Sequence, residues 1–286
     1  MANPINKAAT ELLNNALIKL EEQLDCDVLN YYGAIMGGIE NELLDIIEKL
    51  ADDQDKRDRL AVILTTNGGS SETVERYVNM IRKHYEKVIF IVPDYAFSAG
   101  TIFCMSGDEI WMDYFSALGP IDPQVPNKDG KYVPALGYLD KINELLTKAQ
   151  ANTISDAEFL ILKDFDLAEL RFYEQAKELT IDLLKRWLVK YKFKNWDIHS
   201  STGLPVSDQD KQNRAEEIAA ALGNNNIWKT HGRPINIEEL EDLKLKIEDY
   251  SNRPERELIR NYYNLMRDFS RQYYNGGLFI HTRKFI

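Results

Sequence analysis

A serine and a pair of glycines each follow an apolar segment of the chain, at positions where a substrate could bind. Ser98 stands in "DYAFSAGTIFC" after "KVIFIVP" (87–93), and Gly68 and Gly69 stand in "LTTNGGSSE" after "LAVILTT" (60–66). Parallel strands end at one edge of a sheet, so the serine and the glycine turn should be neighbours. A hydroxyl beside unpaired backbone N–H groups suits nucleophilic acyl transfer.

Each feature alone also has a plain structural interpretation. A serine before a helix is commonly a helix cap, and two glycines after a strand commonly form a tight turn. The occurrence of both features at two adjacent strand ends favours a functional site.

Apolar bursts that resemble buried strands alternate with helical patterns in the first part of the chain. The bursts lie at 27–35, 60–66, 87–93 and 109–112, and the helical stretches between them include 39–51 and 71–86. Near-continuous apolar strands separated by helices are typical of βαβ units. The pattern therefore predicts an α/β fold with a parallel sheet.

The remaining segments are mainly helical. Residues 9–24 carry an amphipathic stripe, and 156–193 is almost free of Gly and Pro, which predicts one long helix in a helical arm. A shorter helix should stop in left-handed conformation near "LGNNN", and Asn236 with Glu239 has capping-box spacing. The last helix should begin after Ser251, and it and the long helix need burial partners, within the chain or beyond it.

Composition narrows the function classes. The chain has 286 residues and a net charge of −11, which argues against binding a nucleic-acid backbone. Its two cysteines, Cys26 and Cys104, give no disulfide framework and lack metal-ligand neighbours at close spacing. We find no secretion signal and no apolar run long enough for a membrane span. These observations predict a cytoplasmic protein without a cofactor or a metal.

The residues from 64 to 125 resemble a known family. The turn Gly68-Gly69, the triplet Ser98-Ala99-Gly100, "DEI" at 108–110 and "LGPIDPQ" at 118–124 are similar to the serine dehydrogenase proteinase family. This family belongs to the Clp protease proteolytic subunit and crotonase superfamily and is related to signal peptide peptidase A. Similarity continues at 156–164 and 230–240, so it touches residues from about 27 to 247.

The resemblance implies a Clp/crotonase-like spiral of ββα units. We expect an N-terminal amphipathic helix at 1–26 and a peptidase core at 27–250 with a helical insertion at about 134–200. A C-terminal helix and tail follow at 251–286. Members of this superfamily form rings or stacked trimers, so the resemblance also implies a homo-oligomer.

The resemblance further implies site roles. Ser98 would be the nucleophile, the backbone N–H groups of Gly69 and Ala99 would hold the oxyanion, and Gly68 would shape the turn. A serine still needs a base, because its free hydroxyl is a poor nucleophile near neutral pH.

The base is where the sequence departs from the Clp pattern. Asp122 occupies the position of the Clp histidine, and His231 falls close to that of the Clp aspartate, so the two roles would be exchanged. Signal peptide peptidases instead pair the serine with a lysine about 50 residues later, where this chain has Lys141 and Lys148. Asp122 could simply bind backbone N–H groups, His231 could pack beside Trp228, and both lysines could be surface residues.

We expect a cytosolic serine peptidase that cleaves peptides or unfolded proteins through an acyl-enzyme on Ser98. Two alternatives remain open. One is a catalytically silent structural oligomer of the same fold, which the missing histidine at position 122 favours. The other is a crotonase-like acyl-thioester enzyme, which leaves the serine unexplained.

Overall fold

The computed structural model describes residues 4–126, 132–200 and 202–286. Its helices are α1 (Pro4–Leu24), α2 (Glu40–Ala51), α3 (Ser71–His84), α4 (Ala99–Cys104), α5 (Ala135–Gln150), α6 (Asp156–Lys163), α7 (Leu167–Trp187), α8 (Asp208–Leu222), α9 (Asn225–Trp228), α10 (Ile237–Asp242) and α11 (Glu255–Tyr274). Its strands are β1 (Asp27–Tyr32), β2 (Arg59–Thr65), β3 (Lys87–Val92), β4 (Tyr95–Ala96), β5 (Glu109–Met112), β6 (Ala117–Leu118), β7 (Gln124–Pro126), β8 (Tyr132–Pro134), β9 (Glu248–Asp249) and β10 (Phe279–His281). A π-helix, Leu188–Lys192, follows α7.

A mostly parallel sheet forms the centre of the molecule. Its strand order is β10-β1-β2-β3-β5-β9, and β1, β2, β3, β5 and β9 run parallel. The C-terminal β10 pairs antiparallel with β1. The predicted α/β fold with a parallel sheet is confirmed, whereas β9 and β10 have no clear signal in the sequence.

Both faces of the sheet are buried, which explains the near-continuous apolar strands. In β2, Val62 and Leu64 point into the larger core, which includes residues of α2, α3, α4, α7 and α8. Ala61 and Ile63 point to the other face, into a core shared with α1 and α11. Successive strand residues alternate between the faces, so every second residue supplies each core.

The C-terminal helix finds its burial partner within the chain. Tyr262 and Met266 of α11 belong to the same buried cluster as Leu13 and Leu17 of α1. Together these helices cover one face of the sheet. Most of the apolar stripe of each helix is therefore buried within the chain, although Leu12 of α1 stays exposed.

The predicted long helix over 156–193 is divided. Helix α6 ends at Lys163, and the Asp166 side chain accepts a hydrogen bond from the Ala168 N–H at 2.7 Å to cap α7. An aspartate is more favourable as the N-cap of a new helix than inside a continuous helix. The absence of Gly and Pro was therefore not sufficient for one continuous helix.

Helix termini give one correction and one confirmation. Gly223 follows α8 with φ −86°, so the predicted left-handed stop there was wrong. The capping box of Asn236 and Glu239 is confirmed at the start of α10. A left-handed stop does occur after α11, where Asn275 has φ 52°.

A short second ribbon crosses the carboxyl edge of the main sheet. It is built from single bridges and one two-residue pairing, which join Ile35 to Gly69, Thr66 to Ala96, Ala96 to Leu118, and Leu118 to Ile235. This ribbon brings together segments that are far apart in sequence. Within the described residues, no helix is long and apolar enough to cross a membrane.

Candidate active site

Ser98 lies between β4 and α4 in an unusual backbone conformation. Its φ is 53° and its ψ is −118°, a combination that residues with a side chain rarely adopt. Its side chain makes no capping hydrogen bond to α4, so the helix-cap interpretation is not supported. Strained backbone of this kind is found at functional sites, where surrounding structure holds it in place.

Gly68 lies directly against the serine. A Cβ placed on Gly68 would come within 2.7 Å of the Ser98 Cβ and 2.8 Å of the Phe97 carbonyl oxygen. Gly68 also has φ +105°, and its N–H donates to the Thr66 hydroxyl at 3.0 Å. Only glycine fits here, so the predicted contact between the glycine turn and the serine exists.

Gly69 is held from the other side by the loop after β1. The Ile35 N–H donates to the Gly68 carbonyl at 2.9 Å, and the Ser70 N–H donates to the Ile35 carbonyl at 2.9 Å. A Cβ on Gly69 would lie 1.9 Å from the Ile35 oxygen. The turn is therefore fixed on both sides of Gly69.

Two backbone donors at this turn have no internal acceptor. Among the residues that the structure describes, neither the Gly69 N–H nor the Ala99 N–H donates a hydrogen bond. At the start of α4, Gly100 donates to Phe97 at 2.8 Å and Ile102 to Ser98 at 3.2 Å, which leaves Ala99 unused. Unpaired donors beside a serine are the arrangement that an oxyanion requires.

Thr101 ties the serine segment to the loop that contains Asp122. Its hydroxyl donates towards the Ala96 carbonyl at 2.8 Å and the Gly119 carbonyl at 2.9 Å, and it accepts from the Gly119 N–H at 3.0 Å. No motif in the sequence marks Thr101 as a site residue. Its only sequence signal is a hydroxyl inside the otherwise apolar run after Ser98.

Asp122 and His231 lie on the two segments that one bridge of the ribbon joins. Leu118 pairs antiparallel with Ile235 at this isolated bridge, but the Ile121 N–H already donates to the Leu222 carbonyl at 3.1 Å, and His231 lies in a turn, so the pairing does not extend to positions 122 and 231. Asp122 is buried, and its Oδ1 accepts from the Leu136 N–H at 3.1 Å at the start of α5. The aspartate thus anchors the first turn of α5.

His231 lies half-buried in the turn after α9. Burial lowers the pKa of its imidazole below 6.5, so the ring is neutral at pH 7. Its Nδ1 is buried and has no hydrogen-bond partner within the described part of the chain. Neutral imidazole is the form that accepts a proton from a serine.

The two candidate lysines lie on the exposed face of α5. Lys141 pairs with Glu144 at 2.9 Å, and Lys148 pairs with Glu144 at 2.9 Å and with Glu158 at 2.6 Å. The hydrogen bonds to Glu158 and Glu144 raise the pKa of Lys148 to about 12. Lys148 therefore holds its proton, the opposite of what a general base needs.

No hydrogen bond joins the Ser98 hydroxyl to His231, Lys141 or Lys148 among the described residues. The structure thus brings Gly68, Ser98 and Ala99 together. It leaves the candidate bases apart from the serine. The described residues also hold no group of three or more His, Cys, Asp and Glu side chains suited to a metal ion.

The fold and the family profile define the class of this chain. It is a mostly parallel α/β protein of the ClpP-like class, in which residues 17–209 match the profile of the ClpP-like SDH-type serine proteinases. The chain belongs to this family of serine peptidases.

Two similar proteins come from Methanocaldococcus jannaschii. The uncharacterized protein MJ1495 is 28% identical over 201 residues, which cover 70% of this chain and 56% of that protein. The uncharacterized protein MJ0137 is 27% identical over 194 residues, which cover 68% of this chain and 54% of that protein. The chain therefore spans about half the length of the curated relatives it matches.

The chain is also similar to two solved structures at low sequence identity. An alanine mutant of the 1510-N membrane-bound stomatin-specific protease has a TM-score of 0.46 and 13% identity, with 84% of this chain and 83% of that chain covered. ClpP1 from Listeria monocytogenes has a TM-score of 0.41 and 12% identity, with 82% of this chain and 96% of that chain covered.

Proposed function

We propose that this chain is a serine peptidase in which Ser98 attacks the carbonyl carbon of a peptide bond. The single observation that carries the proposal is the strained backbone of Ser98, held against Gly68 beside the unpaired N–H groups of Gly69 and Ala99. A structural serine would gain nothing from this conformation. At a sharp turn, this backbone conformation exposes a nucleophile to the substrate.

In the proposed reaction the Ser98 Oγ forms a bond to the carbonyl carbon, and its proton passes to the base. The Gly69 and Ala99 N–H groups would stabilise the oxyanion, and each such donor is worth about 3–4 kcal/mol at the transition state. The intermediate then expels the amine, which takes the proton from the base. Water next attacks the acyl-enzyme and gives a proton to the base. The bond between the carbonyl carbon and the Ser98 Oγ then breaks, the Oγ takes that proton from the base, and the acid is released.

We infer that His231 is the base and that Asp122 orients it. Two observations support this assignment: burial lowers the pKa of His231, and the bridge between Leu118 and Ile235 joins the segments that carry the two residues. A shift of the His231 turn towards Ser98 on substrate binding would complete the site, because catalytic hydrogen bonds often tighten only in the complex. Lys141 is the second candidate, and its exposure and its ion pair with Glu144 make it weaker than His231; the two ion pairs of Lys148 disfavour that lysine further.

The substrate class we propose is a peptide or an unfolded protein, processed in the cytoplasm. The buried, free cysteines Cys26 and Cys104 agree with a reducing compartment.

We also propose a homo-oligomer whose subunits contact each other through the helical arm. Helix α6 buries none of its residues and exposes three consecutive large apolar side chains, Phe159, Leu160 and Ile161, and adjoining exposed apolar residues favour a contact with another chain.

Oligomerisation through α6 can be tested by sedimentation equilibrium. We expect the double variant Phe159→Glu and Leu160→Glu to dissociate an assembly that the unmodified chain forms. The variant Lys163→Glu on the same helix serves as a charge control. A monomeric unmodified chain would contradict this contact.

A fluorophosphonate probe tests the nucleophile. We expect one adduct, located at Ser98 by mass spectrometry, that is lost in Ser98→Ala and kept in the control Ser71→Ala. An adduct at another serine would overturn the proposal.

A catalytically silent scaffold is the second candidate, because Ser98 makes no hydrogen bond to a base in this structure. It predicts no adduct at any pH at which the protein stays folded. Labelling at Ser98 rules it out.

A further inference from the structure

A large cavity lies at the amino edge of the main sheet, the edge opposite Ser98. Its volume is about 1220 Å³, and its lining includes Arg59, Lys87, Glu109 and Glu248, the first residues of β2, β3, β5 and β9. The segment from Tyr191 to Trp196 forms another wall. We call this space the amino-edge cavity.

The charge of the amino-edge cavity is opposite to that of the whole chain. Its lining contains eight lysine and arginine side chains against five aspartate and glutamate side chains. The whole chain carries a net charge of −11. A local cationic surplus in an acidic protein attracts anions to that place.

Lys192, the last residue of the π-helix, lines this cavity without an ion-pair partner. Within the described residues, no carboxylate lies within 4.0 Å of its ammonium. The two nearest acidic groups are already paired. Glu109 binds Lys87 at 2.8 Å, and Glu248 binds Lys246 at 2.6 Å.

Lys192 is partly buried in the wall of the cavity. Burial lowers the pKa of Lys192 to about 8, because the charged form loses part of its hydration. Buried charges are ordinarily paired. An external anion would supply the missing partner.

We propose that the amino-edge cavity binds a small organic anion, whose carboxylate or phosphate group pairs with the Lys192 ammonium. The cavity is larger than the roughly 300–1,000 Å³ of ordinary ligand pockets, so an organic portion fits beside the anionic group. Fixed aromatic rings shape the wall nearest the lysine. The Arg82 guanidinium stacks on Tyr191 at 3.8 Å, and Trp196 packs edge-on against His199.

Calorimetry with pyrophosphate and, separately, with succinate tests anion binding and distinguishes the two sources. We expect Lys192→Met to weaken binding about 10- to 100-fold, the range expected for a hydrogen bond to a charged group. Lys192→Arg should retain binding because it keeps the charge. Lys185→Met is the matched control, since Lys185 lies on α7 outside the lining of the cavity and already pairs with Glu216 at 3.2 Å.

Pyridoxal 5′-phosphate provides a second readout, because it combines an aldehyde with a phosphate. The neutral lysine amine adds to the aldehyde carbon and water leaves, and borohydride then reduces the imine to a stable amine. At pH 8 we expect preferential modification of Lys192, with protection by the anion that binds. Pyridoxal without phosphate should label it less.

The result is independent of the peptidase proposal, because fluorophosphonate labelling reports only on Ser98. Protection by pyrophosphate alone assigns a phosphate ligand, and protection by succinate alone assigns a carboxylate ligand. Binding of neither anion, or binding unchanged in Lys192→Met, overturns the inference. Thermal unfolding of Lys192→Met shows that the variant is folded when binding is lost.

Discussion

Ser98 keeps a backbone conformation that costs on the order of 1–3 kcal/mol for a residue with a side chain. Its neighbours impose this conformation through the ribbon and the first turn of α4. Because this conformation costs free energy, substitutions at position 98 test directly whether the serine is retained for chemistry rather than for stability.

Replacing Ser98 with glycine should stabilise the fold. We expect Ser98→Gly to raise the free energy of unfolding by about 1 kcal/mol, because glycine accepts positive φ and loses only part of this gain through its greater unfolded-state entropy. Ser98→Ala keeps the strain and should change stability by less than about 0.5 kcal/mol. Urea unfolding measures both, and a destabilised Ser98→Gly would contradict the strain argument.

Gly68→Ala should disrupt the turn. The added methyl would overlap the Ser98 Cβ and the Phe97 oxygen at a φ of +105°, so we expect a loss of at least about 2 kcal/mol and of fluorophosphonate labelling. Gly137→Ala is the control, because nothing lies within 4 Å of its added Cβ inside α5. That variant should gain up to about 1 kcal/mol. Equal stability of the two variants would show that Gly68 is not constrained.

The pH dependence of labelling identifies the base. If His231 accepts the serine proton, the labelling rate rises with pH around the pKa of His231, which burial holds below 6.5, and stays level above it. His231→Gln should then lower the rate about 10²- to 10⁴-fold. A rate that rises only at alkaline pH and is lost in Lys141→Ala would assign the lysine instead.

At the scale of elements, Thr101 locks α4 to β4 and to the loop after β6. We expect Thr101→Val to cost about 2–3 kcal/mol, because it leaves the Ala96 and Gly119 groups unpaired in the interior. It should also slow labelling at Ser98. Thr147→Val is a matched control on α5, where the hydroxyl contacts the Asn143 carbonyl at an exposed position and its loss should be nearly neutral. Similar losses in both variants would refute the locking role.

The elements that the sequence predicted best are those with strong periodic patterns. The strand at 109–112 has the predicted limits, and β2 and β3 differ from theirs by one residue. A near-continuous apolar run decides each of these elements locally. By contrast, β9 and β10 are short and gain their pairing from strands far away in sequence, so local pattern gives them little signal.

The site was predictable in part for the same reason. The glycine turn and Ser98 follow directly from where two strands end, so their contact could be predicted. The ribbon depends on single bridges between distant segments, such as Leu118 with Ile235. The neighbourhood of His231 is set by these long-range contacts, which no local spacing records. By contrast, the pair of Lys148 with Glu144 has the i,i+4 spacing of one helix face and is readable from the sequence.

At the scale of the whole molecule, Arg283 joins the C-terminal tail to three other segments. Its Nη1 binds Glu21 at 2.9 Å and Asp27 at 2.7 Å, and its Nε binds Asp53 at 2.8 Å. Glu21 and Asp27 are almost fully buried. The tail thus closes one side of the sheet through a buried charge network.

Arg283→Met should destabilise the protein by about 3–5 kcal/mol, because it leaves buried carboxylates without their cation. Arg171→Met removes ion pairs that are exposed on α7 and should cost less than about 1 kcal/mol. Thermal and urea unfolding compare the two variants. A small effect of Arg283→Met would show that Arg57, which lies 3.5 Å from Glu21, can compensate.

The hydrogen bond from the Leu136 N–H to Asp122 has a mechanical consequence. The Asp122 carboxylate, which we propose orients the base, also accepts this hydrogen bond from the first turn of α5. A tilt of that helix would therefore move the carboxylate relative to His231. If a neighbouring subunit or an incoming polypeptide displaced α5, the proposed rate of peptide hydrolysis at Ser98 would thereby change.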